Sequence, residues 1–180
     1  NIMHYTLPSL VDDLTVAVSY TPAGANDESS SAFGLTYAGV EGLSVSYGQG
    51  SADGDAAGSG GTAANSDTTS LKASYAIGSF TLAYSDHDHD SNTDTSDQTA
   101  TSWKVSYTVS DAVSVTYGTE SLDSAATADT SDAEYTKITA SHTSGGMTVS
   151  ANYQEATEMS YTTATDEDEE YYGLSLSFAF

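Results

Sequence analysis

The sequence has no cysteine, which excludes disulfide scaffolds and cysteine-ligated zinc centres. Basic side chains are nearly missing as well. Lys72, Lys104 and Lys137 stand alone against 26 acidic residues, for a formal net charge of −23. A balance this negative repels nucleic acid and anionic lipid surfaces, so nucleic-acid partners are excluded, while cations are attracted. Long apolar runs are absent too: nothing approaches the roughly 18 consecutive apolar residues of a transmembrane helix. No basic segment followed by an apolar one opens the chain, so Asn1 is expected to be a mature terminus or the edge of a fragment. With only two prolines and much Ser, Thr, Gly and Asp in its 180 residues, the composition is close to that of a disordered chain. The placement of its apolar residues argues against disorder.

Those residues recur with period two. Leu14, Val16, Val18 and Tyr20 share one face of a run, as do Phe33, Leu35 and Tyr37, and then Leu43, Val45 and Tyr47. The pattern continues through Leu71 to Ile77, Phe80 to Tyr84, Trp103 to Val109 and Val113 to Tyr117, and more weakly around Ile138 and from Met147 to Tyr153. With "HYTL" at the start and "YYGLSLSFAF" at the end, the alternation predicts about eleven strands and no helix. Short turns ("VDD", "GVEG", "AIGS", "VSDA", "TSGG") alternate with long connections at 23–31, 49–68, 86–99, 118–132 and 154–169. Apart from Asp12, Asp13, Glu41 and Asp111, every acidic residue falls in or beside a long connection, so the charge gathers at one end of the sheet.

A soluble sandwich would carry charges along the exposed face of each strand. Here the face opposite the apolar one holds Ser, Thr, Gly and Ala. In hydrocarbon every backbone group must be paired internally, which permits a closed antiparallel barrel with apolar residues toward lipid and polar ones toward the lumen. The expected fold is therefore an all-β transmembrane barrel. Tyr20, Tyr47, Tyr84, Tyr117 and Tyr153 each close an ascending strand just before a long connection. The five are read as an aromatic girdle at the membrane boundary; the plainer alternative is that Tyr is simply a good strand former.

The opening "NIMHYTLPSLVDDLTVAVSYTP", the hairpin repeat and the alternating run ending in Phe180 together resemble the C-terminal part of a general bacterial porin of the Gram-negative outer membrane. The resemblance implies a barrel of about sixteen strands, so residues 1–180 are expected to be the C-terminal part of a single porin barrel domain, lacking about five strands and the constriction loop. It also implies a homotrimer. Tyr172, Gly173, Leu174, Leu176, Phe178 and Phe180 match the family's terminal pattern, which is read by the barrel assembly machinery.

Lys72, Lys104 and Lys137 hold equivalent places in "LKASY", "WKVSY" and "TKITA", opposite the apolar residues, and are expected to line the pore. They would either form a basic row that orients anionic solutes or pair with carboxylates and brace the wall. The run "DHDHDSNTDTSD" (Asp86, His87, Asp88, His89, Asp90, Asp94, Asp97) and the run Asp166 to Glu170 lack EF-hand spacing, so no metal site is assigned. Weak bridging of divalent cations between loops and lipopolysaccharide is the reading kept. No nucleophile elbow, P-loop or dinucleotide fingerprint is present, so neither an enzyme nor a cofactor is expected. The sequence thus predicts an outer-membrane porin for passive diffusion of ions and small hydrophilic solutes. Alternatives are a non-transporting barrel that acts as an adhesin or surface-lattice protein, and a soluble acidic β-protein.

Overall fold

The computed structural model describes residues 2–8, 11–23, 29–53, 65–92, 97–126, 131–161 and 168–179. Its strands are β1 (Met3–Thr6), β2 (Leu14–Thr21), β3 (Ser30–Val40), β4 (Leu43–Ala52), β5 (Ser66–Ile77), β6 (Phe80–Ser91), β7 (Gln98–Ser110), β8 (Val113–Ser124), β9 (Ala133–Ser144), β10 (Met147–Thr157) and β11 (Glu169–Phe178). They form one 11-stranded sheet in sequence order. Each strand is antiparallel to its neighbours, and β1 and β11 form the two edges. From β4 to β11 the strands have 10 to 13 residues, the length needed to cross hydrocarbon at a tilt (about 9–11 residues).

The short connections are tight because glycine supplies the backbone they need. Gly42 (φ 78°), Gly78 (φ 57°) and Gly146 (φ 83°) sit in the left-handed region at the β3–β4, β5–β6 and β9–β10 turns. Gly42 has a second constraint, since a Cβ there would run into the backbone carbonyl of Ala76 on β5. At the opposite end the ladders run farther than the sequence suggested. β6 continues through the acidic run to Ser91, β8 reaches Ser124 and β10 reaches Thr157. Beyond the apolar belt both faces of these strands are polar, so hydropathy no longer reveals the alternation. The hydrogen-bonded register nevertheless persists, for instance from Lys72↔Ser85 to Ser66↔Ser91.

Among the described residues no apolar interior stands behind this sheet. Among the described residues the buried apolar side chains are Ala133 and Ala156 alone, whereas Leu82, Trp103, Leu174 and Phe178 are 47%, 46%, 80% and 55% exposed. Those large side chains share the outward face. Phe33–Tyr47, Phe80–Tyr107, Trp103–Tyr117 and Tyr153–Tyr172 form ring pairs on it with centroids 5.8, 4.6, 5.5 and 5.1 Å apart. Cross-strand hydroxyl contacts knit the inward face instead: Thr36–Ser46 at 3.2 Å, Ser85–Ser102 at 2.8 Å, Ser106–Thr116 at 3.0 Å, Ser114–Ser141 at 2.8 Å and Thr143–Thr148 at 2.9 Å. Such pairs contribute about 0.2–1 kcal/mol each. A sheet that is greasy outside and hydroxylated inside is the wall of a transmembrane β-barrel.

This two-faced wall makes substitutions on one strand unequal. Leu82→Arg, on the outward face of β6, is expected to cost about 2–4 kcal/mol in lipid. Thr81→Arg, one residue away and inward between Ala76 and Ser106, should cost well under half of that. Urea unfolding in lipid vesicles measures both, and equal losses would contradict the assignment of faces.

Candidate functional site

The inward face of β5 to β10 carries the lysines. Lys72 lies between Ser46 and Ser85, Lys104 between Ala83 and Gly118, and Lys137 between Gly118 and Gln154. Lys104 and Lys137 therefore share one cross-strand row with only a glycine between them, roughly 10 Å apart at two strand spacings. Lys72 is in the next row toward the long connections, the row of Ser85 and Ser102. A shallow depression lined by Ser102, Lys104, Gly118, Glu120, Tyr135 and Lys137 adjoins a second one lined by Ser46, Lys72, Ser85 and Lys104. Lys104 borders both, so the three ammonium groups edge one continuous polar strip. Among the described residues none of the three forms an ion pair within this chain.

Glu120 is an inward charge that sequence reasoning missed. Its position falls in the connection expected at 118–132, yet it lies on β8, pairs with Ser102 of β7 and Tyr135 of β9, and faces inward, diagonal to Lys104 and Lys137. Continuing the period-two count of Val113, Val115 and Tyr117 would have found it. Of the strand-borne carboxylates only Glu120 and Glu169 face inward; Asp67, Asp86, Asp88, Asp90, Asp123, Glu134, Glu155 and Glu170 share the outward face. The pleat thus places eight of these ten carboxylates opposite the three lysines, with Glu120 and Glu169 the exceptions.

The five tyrosines are all outward, but they do not share one row. Following the pairs, the line drops four residues from β2 to β4, because Tyr47 aligns through Leu35 with Val16 rather than with Tyr20. It drops two more to β6, where Tyr47 aligns through Leu71 with Asp86 and not Tyr84, and two more to β8, where Tyr84 faces Trp103 and Tyr117 faces Val105. Tyr117 and Tyr153 are level through Ile138. Eight residues over eight strand steps averages one residue per strand. With about 3.4 Å per residue and about 4.8 Å between strands this equals a tilt of about 35°, inside the range of transmembrane barrels. A horizontal line on tilted strands must cross the rows in this way.

The same slope sets the height of the lysines. Lys72 follows Leu71, which faces Tyr47; Lys104 follows Trp103, which faces Tyr84; and Lys137 precedes Ile138, which faces Tyr117 and Tyr153. Each lysine is one residue from the tyrosine line, on the other side of the wall. Two tyrosine hydroxyls point away from the apolar belt: Tyr84 Oη donates to Asp86 Oδ2 at 3.4 Å and Tyr172 Oη to Glu170 Oε2 at 2.9 Å. A second aromatic belt at the turn end, with Tyr37, Tyr75, Phe80 and Tyr107 outward, was also missed. Its residues were visible as strand residues, and only the pairing shows that they form a belt.

On β11, Tyr172, Leu174, Leu176 and Phe178 face outward and Gly173 inward opposite Asn152, whose carboxamide a Cβ at Gly173 would meet. Phe180 lies outside the described residues, as do Asp94, Asp166 and Glu167 of the acidic runs. The rest of the "DHDHD" run is strand rather than loop.

Comparison with known proteins agrees with this wall. No curated protein matches the sequence. Among solved structures, OmpT (in-vitro folded), an outer membrane protein of Vibrio cholerae, is similar at a TM-score of 0.64 and 16% identity, covering 98% of this chain and 63% of that one. An anion-selective porin from Comamonas acidovorans has a TM-score of 0.68 at 17% identity, covering 87% of this chain and 48% of that one. The chain therefore spans less than two thirds of the length of these structures, and the likeness extends to the fold. The family model for Gram-negative porins matches residues 1–143. The chain belongs to the Gram-negative porin family, whose place is the outer membrane.

Proposed function

We propose that this chain forms part of the wall of a water-filled channel through which ions and small hydrophilic solutes diffuse passively, without catalysis. The observation that carries the reading is the separation of the two faces, hydroxyls and all three lysines inward and large apolar side chains outward. Selectivity would follow from wall charge. An ion passing about 7 Å from one lysine in water changes its energy by about 0.6 kcal/mol, close to thermal energy and a factor of about 2.7. Adjacent lysines at roughly 10 Å are separated by about one screening length at physiological salt, so their fields overlap along the strip. Glu120 offsets one of them. With three lysines against Glu120 and Glu169, the inward wall of this acidic protein favours anions.

The same reading assigns the outward residues. Tyr20, Tyr47, Tyr84, Tyr117 and Tyr153 would hold the barrel at the outer interface. The carboxylates just beyond them would meet lipopolysaccharide through weakly bridging divalent cations. Tyr172, Gly173, Leu174, Leu176, Phe178 and Phe180 would present the terminal strand to the barrel assembly machinery, and the assembled protein would be a homotrimer. Its support is the exposure of β11, where Tyr172 is 71% and Leu174 80% accessible.

Reversal potentials in planar bilayers under a salt gradient test the lumen assignment. Changing Lys72, Lys104 and Lys137 together to Ser is expected to lower the anion-to-cation permeability ratio by about twofold or more per lysine, whereas Glu120→Gln should raise it. Unchanged ratios in both would remove the wall-charge reading, and absence of steady single-channel conductance would remove the channel itself. The girdle has a separate test, since Trp103 is the sole tryptophan and faces Tyr84. Its fluorescence should be quenched more strongly by lipids brominated near the headgroup than by aqueous acrylamide. The reverse order would place that face in water.

A further inference from the structure

The loop-side half of β6 reads Asp86-His87-Asp88-His89-Asp90. As a flexible loop this would be a dense mixed donor set, but the pleat divides it. His87 pairs with Ser70 and Ala100, and His89 with Thr68 and Gln98, on the face that carries Lys72 and Lys104. The aspartates take the other face, where Asp88 Oδ2 accepts from Thr99 Oγ1 at 2.9 Å and Asp86 Oδ2 from Thr101 Oγ1 at 3.1 Å. Two imidazoles are thus left together on the inward wall without a carboxylate beside them. Among the described residues no group of three or more His, Asp and Glu side chains gathers as a metal set. A hard cation that needs several oxygen ligands has no cage here.

A borderline transition ion has different needs. Residues i and i+2 of a strand share a face about 6.8 Å apart at their Cα atoms, and each imidazole is long enough to lean toward the midpoint and reach an ion at about 2.0–2.1 Å. The pairing neighbours on this face, Thr68, Ser70, Gln98 and Ala100, are uncharged and leave room. Thr68 Oγ1 lies 3.5 Å from His89 Nδ1. A proton held at Nδ1 toward that hydroxyl leaves the Nε2 lone pair free, which is how an outer partner orients a histidine ligand. The local field helps as well, since Asp86, Asp88 and Asp90 lie just across the wall, opposed on the inner side by Lys72 one row nearer the turns.

We propose that His87 and His89 form a two-nitrogen site for a divalent transition-metal ion, with water in the remaining positions, on the inward wall beyond the outer tyrosine line. Donor type ranks the ions: Cu²⁺ binds most tightly, Ni²⁺ and Zn²⁺ follow, and Mg²⁺ and Ca²⁺ do not compete. The site depends on the inward placement of the two imidazoles and not on conduction. It is therefore tested without electrical measurement.

The test is Cu²⁺ electron paramagnetic resonance on the protein purified from outer membranes in detergent, with excess Mg²⁺ present to occupy the acidic segments. The expected spectrum shows a single copper coordinated by two imidazole nitrogens. His87→Gln and His89→Gln should each weaken binding about tenfold or more, the double variant should lose the nitrogen signature, and His142→Gln and Asp88→Asn should keep it. Oxygen-only coordination in the unaltered protein would overturn the proposal whether or not any variant folds. So would a two-nitrogen signature that survives in a double variant shown to be folded by its heat-dependent migration on SDS gels.

Discussion

A peptide group in hydrocarbon has no water to bond with, and each one left unpaired costs several kcal/mol. The organisation of this protein follows from that constraint. Pairing every strand with its sequence neighbours satisfies the ladder with the shortest connections, and this yields the observed order from β1 to β11. Once the ladder is fixed, side chains have only two destinations, and the period of two assigns them alternately. Apolar burial, which elsewhere organises a core, here acts between the wall and its surroundings. Ala133 and Ala156 alone are buried apolar residues among those described, because the layer that covers Leu82 and Leu174 is lipid.

Tilt is the second consequence. A wall of hydrogen-bonded rows curls into a barrel only if its strands are inclined, and the incline displaces any horizontal feature by a fixed number of residues per strand. The tyrosines show such a displacement on average, four residues from β2 to β4, two to β6, two to β8 and none to β10. The same geometry brings Lys72 to the height of Lys104 although they occupy different rows. A functional level in such a wall is defined by the membrane, and the hydrogen-bonded rows cross it obliquely. Spacing in sequence and height in the pore are therefore linked through the tilt.

How much of this was legible depended on contrast between neighbours. Within the belt an apolar residue alternates with a serine or threonine, so the eleven strands, their faces and the inward lysines follow from the sequence. Beyond the belt the alternation sets polar against polar. The ladder continues through His87, Asp88, Glu120 and Glu155, but nothing in hydropathy marks which of these is inside. That is why the sequence alone puts Glu120 and the two histidines in connections, and why the acidic run reads as one donor cluster. The belt at Tyr37, Tyr75 and Tyr107 was hidden for another reason. Its members sit among other apolar residues, and only the pairing of Tyr107 with Phe80 and of Tyr75 with Leu82 sets them at one level.

The sorting of charge by the pleat reconciles a net charge of −23 with an inward face that carries all three lysines. Carboxylates on the outward face beyond the tyrosines, such as Asp86 and Glu170, are held by threonine and tyrosine hydroxyls on that face. The lysines across the sheet face one another over glycine and serine. A single sheet is thin enough for these opposite charges to attract through it, and among the described residues none of the three lysines forms an ion pair within the chain. Yet the sheet also keeps them from pairing directly, because no side chain passes through the ladder. Had acid and base shared a face, short ion pairs would have neutralised the strip. Held on opposite faces, acid and base act on each other only through the thickness of the sheet, and screening by salt over about 8 Å limits how far the lysines' field extends from the inward face.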